Sequence, residues 1–246
     1  MNNLTTLNIN NIIVIFIIFF VSCNKNILLK KNNNLNSKQI YLKSIQYTIN
    51  KSYNRAIRNL LLLNIIYPYN KFAKKSKLAI IFCYYKSYKL DLAIFNIKNL
   101  FLKYPNCKKI DYIYYLKGLV YYDKYVNWYL KYLPFEYINK DISYARKSFL
   151  SFQHILNLYP ESKYVLNSLQ RLLFLKSKMI KYEISIAKFY LKKKAYLSAA
   201  NRLNFILKNF YKNEHLNKAL KMLLYSYNNS KLFYLSKEIK IMLRIN

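Results

Sequence analysis

The stretch AIFNIKNLFLKYP, residues 93–105, contains the pattern that decides the fold of this chain. Its first residue, Ala93, is small, the apolar Ile97 and Leu100 follow, and a Tyr-Pro pair ends the stretch. Steps of four, three and four residues bring these side chains to one face of an α-helix. Proline then ends the helix, because it lacks an N–H group and clashes with the preceding turn. The stretch therefore predicts an amphipathic helix with a fixed carboxyl end.

The same pattern occurs four times, counted back from Pro68, Pro105, Pro160 and Tyr211. The small positions are Ala56, Ala93, Ser148 and Ala199, and the apolar pairs are Leu60/Leu63, Ile97/Leu100, Phe152/Ile155 and Leu203/Ile206. The aromatic residues before the breaks are Tyr67, Tyr104, Tyr159 and Phe210. Such a unit cannot bury its apolar face alone and must stack on its neighbours. The chain is predicted to be all-α, a tetratricopeptide-like helical-hairpin solenoid of about five repeats.

Helical periodicity and the positions of breakers predict the order of the helices. We expect helices near 38–50, 54–66, 70–86, 89–103, 108–125, 195–209, 214–228 and 231–244, and one long helix near 162–191. The long helix is expected to be shared between repeats and to join amino-terminal repeats (38–161) to a carboxy-terminal part (162–246). Residues 126–139 lengthen the repeat spacing and predict an insertion, which is either a functional loop or an ordinary one.

The amino end has the features of an export signal. Ile12 to Val21 are ten unbroken apolar residues, which span only about half of a ~30 Å hydrocarbon core and are typical of a signal peptide. The run from Phe20 to Cys23 resembles a bacterial lipobox and predicts a signal peptide over 1–22, a lipidated Cys23 and a flexible tether over 23–37. Two features depart from this type of signal. Phe20 stands where a lipobox usually has leucine, and residues 1–11 contain no Lys or Arg, although export signals usually begin with positive charge. An uncleaved anchor and a cleaved, unlipidated protein are the alternatives.

Charge alone favours an anionic partner, since 42 Lys and Arg against 9 Asp and Glu give a net charge of +33. However, Lys, Asn, Ile, Tyr and Phe share A/T-rich codons, and they are in excess throughout the chain. The lysines also lie singly or in short runs, of which Lys192 to Lys194 is the longest. We therefore predict no nucleic-acid partner. A basic repeat protein that binds nucleic acid or peptidoglycan is the alternative function.

The sequence contains little catalytic material. Its two histidines, His154 and His215, have no metal-binding partner at helical spacing, and no HExxH, phosphate-loop, GxSxG or CxxC motif occurs. The sequence therefore predicts no enzyme activity, no metal and no cofactor. Cys83 and Cys107 lack metal or redox spacing, so they are either small buried hydrophobic residues or a disulfide pair.

Several ordered stretches are similar to one known family. Before residue 165 they are Tyr84-Tyr85-Lys86, Leu92-Ala93, Ile110-Asp111-Tyr112, Lys117-Gly118-Leu119, Ala145, Phe149, Phe152 and 159–164. After residue 165 they are 172–176, Lys181-Tyr182-Glu183, Ala187, Phe189-Tyr190, Ala195-Tyr196 and 199–202. Together with the lipobox, these stretches make the chain resemble the BamD family. Members of that family are tetratricopeptide lipoproteins of the machinery that inserts β-barrels into the bacterial outer membrane.

The resemblance implies a lipid-anchored scaffold on the periplasmic face of the outer membrane. In that family, amino-terminal repeats are thought to hold unfolded β-barrel precursors, and carboxy-terminal repeats dock the periplasmic domains of the insertase BamA. Other assembly lipoproteins are further candidate partners. The candidate docking residues, by motif position, are Arg202, Asn201 and Glu183. The candidate precursor-groove residues are Tyr53, Tyr84, Tyr85 and Tyr88, whose aromatic faces suit a nascent strand but are explained equally well by core packing.

Overall fold

The computed structural model describes residues 36–105, 107, 109–126, 142–210 and 214–245. All the regular structure in these ranges is helical. The helices are α1 (Ser37–Ile49), α2 (Tyr53–Ile66), α3 (Lys71–Lys86), α4 (Leu90–Lys103), α5 (Ile110–Val126), α6 (Ile142–Leu158), α7 (Val165–Lys192), α8 (Tyr196–Phe210), α9 (Leu216–Asn229) and α10 (Phe233–Ile245). The signal peptide, Cys23, most of the tether and residues 127–139 of the insertion lie outside the described residues.

Each helix packs on the next one in sequence, so the described helices form five consecutive hairpins, from α1–α2 to α9–α10. In the amino-terminal part, α1, α3 and α5 also contact one another in turn. The helix α7 has 28 residues, about 42 Å at 1.5 Å per residue, and contacts both α6 and α8. The all-α hairpin solenoid and its long shared helix are therefore confirmed.

The repeated pattern forms the buried face of α2, α4, α6 and α8. Its four small residues are completely buried, and all eight apolar residues are at most 4% exposed. Burying each large apolar side chain contributes about 1.5–3 kcal/mol. The Tyr-Pro ends also share one geometry, because the N–H groups of Tyr67, Tyr104 and Tyr159 each donate to the carbonyl four residues earlier, at 2.8–2.9 Å.

A second repeated feature, not predicted from the sequence, joins the two helices of a hairpin. Lys51, Tyr88, Lys194 and Lys231 all have a left-handed backbone, with φ between 56° and 60°. After each of them, the next N–H donates to a tyrosine carbonyl five residues earlier, as in a Schellman motif. Glycine usually occupies such a position, but this chain has a single glycine.

The two cysteines have different environments. Cys83 is completely buried on α3, and its Sγ lies 3.3 Å from Thr48 Oγ1. Burial raises the pKa of the Cys83 thiol, and the contact with Thr48 opposes that rise. Cys107 is only half-buried, and both thiols are free. The interpretation as a small buried hydrophobic residue therefore holds for Cys83, whereas Cys107 is partly exposed.

The single glycine, Gly118, lies at a close contact between α5 and α6. Ser148 Oγ donates to the Gly118 carbonyl at 2.8 Å, and a Cβ atom at Gly118 would lie less than 3.0 Å from three ring atoms of Phe152. The Phe152 side chain is completely buried, so its ring has little room to move. A larger residue at position 118 would therefore force the two helices apart.

We predict that Gly118→Ala lowers the free energy of unfolding by about 1–3 kcal/mol through overpacking, even though alanine favours helix by about 1 kcal/mol. Urea unfolding followed by circular dichroism measures the change. The double variant Gly118→Ala, Phe152→Leu should lose less free energy of unfolding than the sum of the losses of the two single variants, because the ring that clashes with the added Cβ atom is removed. A Gly118→Ala variant as stable as the parent would contradict this packing.

Candidate functional site

A buried carboxylate joins three helices in the carboxy-terminal part of the chain. Glu183 on α7 is only 1% exposed and lies between Arg146 on α6 and Arg202 on α8. Glu183 Oε1 is 2.6 Å from Arg146 Nη2, and its Oε2 is 3.6 Å from Arg202 Nη1. A buried charge is tolerated only when it is paired. The two arginines therefore allow α7 to bury this carboxylate.

The same side chains line an open pocket of about 340 Å³. Its lining residues are Arg146, Glu183, Tyr190, Ser198, Asn201, Arg202 and Phe205. The side chains of Arg146 and Arg202 are 42% and 43% exposed, so each guanidinium is paired on one side and accessible on another. The Arg146 guanidinium also lies 5.5 Å from the centre of the Phe205 ring, which limits its motion.

The pocket is chemically suited to an anion. Each guanidinium carries five N–H donors in a fixed plane, and the single charge of Glu183 neutralises only one of the two arginines. The buried Arg146 Nε atom has no hydrogen-bond acceptor within the described part of the chain. That atom is out of reach of a second molecule, but the exposed parts of Arg146 and Arg202 offer a carboxylate charged donors on two helices.

All three predicted docking residues, Arg202, Asn201 and Glu183, line this one pocket. Glu183 is buried, so an incoming molecule would meet the arginines and the exposed Asn201 first. The sequence analysis missed Arg146, which lies 37 positions before Glu183. One signal was available, since the chain has six arginines and 36 lysines. In so lysine-rich a chain, an arginine indicates a position that needs a planar donor.

The predicted groove tyrosines do not share one environment. Tyr53 and Tyr84 are half-buried and pack on the same amino-terminal hydrophobic cluster, which contains Leu60. Tyr85 is half-buried and directed towards α5, whereas Tyr88 is 41% exposed in the left-handed turn after α3. Three of the four side chains therefore contribute to packing, and Tyr88 is the most exposed of them.

The Tyr85 hydroxyl donates to the carboxylate of Asp123 on α5. Burial raises the pKa of the Asp123 carboxyl, and the Tyr85 hydrogen bond and the positive charge of Arg171 oppose that rise. Burial is also the main cause of the raised pKa of Tyr85, to which the nearby Asp123 adds. These side chains join α3, α5 and α7.

Aromatic rings surround the polar side chains of Asp123 and Arg171. Arg171 lies 4.7 Å from the centre of the Tyr122 ring, and its Nε donates to Asn167 Oδ1 at 3.0 Å. The same Asn167 oxygen accepts from Tyr115 Oη at 2.8 Å, and the Tyr115 ring stacks on Tyr164 with centroids 4.5 Å apart. We call Tyr85, Tyr115, Tyr122, Asp123, Tyr164, Asn167 and Arg171 the tyrosine–arginine patch. It combines aromatic faces with one arginine, and Tyr85 is the one member that was among the predicted groove residues.

Two further observations concern the described residues alone. In those ranges, no three His, Cys, Asp or Glu side chains are grouped so that they could hold a metal ion. The helices from α1 to α10 also include none that is both long and apolar enough to span a membrane.

The described helices also match a known protein family. The YfiO family, described as outer membrane lipoprotein, matches residues 33–239. This chain belongs to the YfiO family. The matched range contains every helix from α1 to α9 and most of α10, and therefore includes both the Glu183 pocket and the tyrosine–arginine patch.

Curated relatives carry the name outer membrane protein assembly factor BamD. The protein of Buchnera aphidicola subsp. Acyrthosiphon pisum is 30% identical over 242 residues, 96% of this chain and 97% of its own length. The protein of Vibrio cholerae is 26% identical over 78% of this chain and 79% of its own length. That of Neisseria gonorrhoeae is 25% identical over 77% and 71%. The resemblance to the BamD family is therefore confirmed.

Among solved structures, a Podosopora anserina kinesin light chain with nearly identical TPR-like repeats matches 85% of this chain and 92% of its own length. Its sequence identity is 10% and its TM-score 0.35. A TM-score this low does not establish a shared fold. The fold assignment follows from the helices described above.

Proposed function

We propose that this chain is an outer membrane protein assembly factor of the BamD type, acting as a non-enzymatic scaffold without a cofactor. The membership of the YfiO family and the relatives named BamD support this function. A row of helical hairpins presents extended surfaces on which other proteins can bind side by side. The scaffold would hold a β-barrel precursor near the insertase and connect the two through the shared helix α7.

The observation that carries the docking part of this function is the pocket around Glu183. Arg202 and Asn201 lie on α8 and reach the pocket beside a second arginine, so the surface offers charged donors in a fixed arrangement. We assign the docking of the BamA periplasmic domains to this surface, with a carboxylate of that partner as the group bound. Arginine suits this role because it can form two parallel hydrogen bonds to a carboxylate.

We assign the binding of unfolded β-barrel precursors to the amino-terminal repeats. Tyr88 supplies an exposed aromatic face, while Tyr53, Tyr84 and Tyr85 are half-buried and line the packed surface beside it. The tyrosine–arginine patch across α3, α5 and α7 extends the aromatic surface towards the centre of the chain. Aromatic rings bind extended, aromatic-rich segments well, since they bury large apolar area at low entropic cost.

We also propose that the chain is anchored to the periplasmic face of the outer membrane by acyl groups on Cys23. The lipobox at residues 20–23 and the outer membrane lipoprotein family support this anchor. Each buried CH2 of an acyl chain contributes about 0.8 kcal/mol to membrane binding. Other assembly lipoproteins are candidate neighbours on the same membrane face.

The anchor predicts a defined chemical form of the mature protein. Intact-mass measurement of the chain purified from membranes should give a protein that begins at an acylated Cys23. Cys23→Ser should abolish acylation and cleavage before residue 23, so that the chain keeps its leader and has the mass of the unprocessed protein, because acylation of the thiol precedes that cleavage. A membrane-bound parent protein that carries no acyl group would contradict the proposal.

For docking, we predict that Arg202→Glu lowers the affinity for the BamA periplasmic domains at least about thirtyfold, since losing one partner of a charge pair that docking would bury costs about 2–5 kcal/mol. Biolayer interferometry with the full chain in detergent measures the change. Lys208→Glu is the matched control, because it reverses an exposed charge on the same helix away from the pocket and should leave the affinity within threefold. Equal losses of affinity in the two variants would indicate a general charge effect and would contradict the assignment.

A further inference from the structure

We propose that Arg146, together with Arg202, binds one partner carboxylate, and that buried Glu183 positions both arginines for this contact. The proposal rests on the docking function given above and adds a second recognition residue, on α6, to a site previously assigned to α7 and α8. The partner group is a single aspartate or glutamate side chain, held between two guanidinium groups above the Glu183 carboxylate.

The contacts in the pocket hold Arg146 more tightly than Arg202. Arg146 is held firmly, by an Nη2–Oε1 distance of 2.6 Å to Glu183 and by the Phe205 ring. Arg202 is held more loosely, at 3.6 Å from Glu183 Oε2, and that oxygen is buried without a hydrogen-bond donor among the residues that the structure describes. A distance of 3.6 Å is an ion pair but not a hydrogen bond. Arg202 can therefore move towards a partner while Arg146 stays fixed.

The charge of the site selects the ligand. Two guanidiniums and one carboxylate leave a net charge of +1, which one further carboxylate neutralises. A dianion such as a phosphate monoester would leave the site negative beside a carboxylate that is 1% exposed and cannot move into water. The charge of the site is therefore matched to one singly charged anion, and among protein side chains that anion is a carboxylate.

Arg146 has a structural role as the closer partner of Glu183, and its position also suits recognition. Two arginines from different helices converge on Glu183, so one carboxylate is shared between two cations. The Arg146 side chain is 42% exposed and lines the open pocket. Its Nε is buried, so a partner can reach only the exposed end of the guanidinium. The remaining donors of Arg146 are thus available to a second molecule.

The test measures the affinity of the full chain, in detergent, for the BamA periplasmic domains from the same organism. Arg146→Gln should lower the affinity about tenfold. Arg146→Lys keeps the charge but not the planar donors, and should lower it about threefold or more. Lys147→Gln is the matched control, because it removes a charge from the adjacent position, where the lysine lies over Tyr121 and Tyr144 instead of in the pocket. It should leave the affinity within twofold.

Glu183→Gln separates positioning from charge. If Glu183 positions the arginines, Glu183→Gln should bind the BamA periplasmic domains several-fold more weakly, although the site gains net positive charge. Adding Arg146→Gln to this variant should then lower the affinity further by less than about threefold. Tighter binding by Glu183→Gln would overturn the positioning role. Melting curves by circular dichroism identify any variant that fails to fold, in which case Arg146→Lys decides.

The outcomes also separate this proposal from the function on which it rests. Loss of binding in Arg202→Glu with no effect of Arg146→Gln or Arg146→Lys would overturn the role of Arg146 and keep the docking function. No binding by the parent protein would overturn both.

Discussion

Small side chains on the second helix of a hairpin are the constraint on which this fold depends. Ala56, Ala93, Ser148 and Ala199 occupy equivalent positions and are all completely buried. Where α5 meets α6, the constraint extends to both helices, because Ser148 bonds the carbonyl of Gly118 directly. Close contact here lets the apolar residues one and two turns later interlock with the neighbouring helices. Without it, the four hairpins that contain these residues could not bury the faces that their sequences make apolar.

The long helix α7 turns this stack into two connected surfaces. Its first half supplies Asn167 and Arg171 to the tyrosine–arginine patch, and its second half supplies Glu183 to the pocket with Arg146 and Arg202. A continuous helix keeps its two ends in fixed register, since every turn is hydrogen-bonded to the next. The two surfaces are therefore held at a constant distance. A scaffold that presents a precursor to an insertase would need this property.

Local patterns predicted the fold well, and contacts across long sequence separations were harder to predict. The four-three-four spacing and the Tyr-Pro ends are features of one helix, so they are visible in the sequence. The pairing of Arg146 with Glu183 spans 37 residues and depends on how α6 packs on α7. The left-handed turns at Lys51 and Tyr88 were also invisible, because neither position carries the glycine that usually indicates such a turn. Arg202, Asn201 and Glu183 came from family resemblance rather than from spacing.

Hydrogen–deuterium exchange of the full chain, alone and with the BamA periplasmic domains, tests the central claim most directly. That claim places partner docking at the pocket shared by α6, α7 and α8. It predicts slower exchange on binding in α6, in the second half of α7 and in α8, with α1 to α4 unchanged. Slower exchange confined to α1–α4, with no change around Arg146, Glu183 and Arg202, would contradict it.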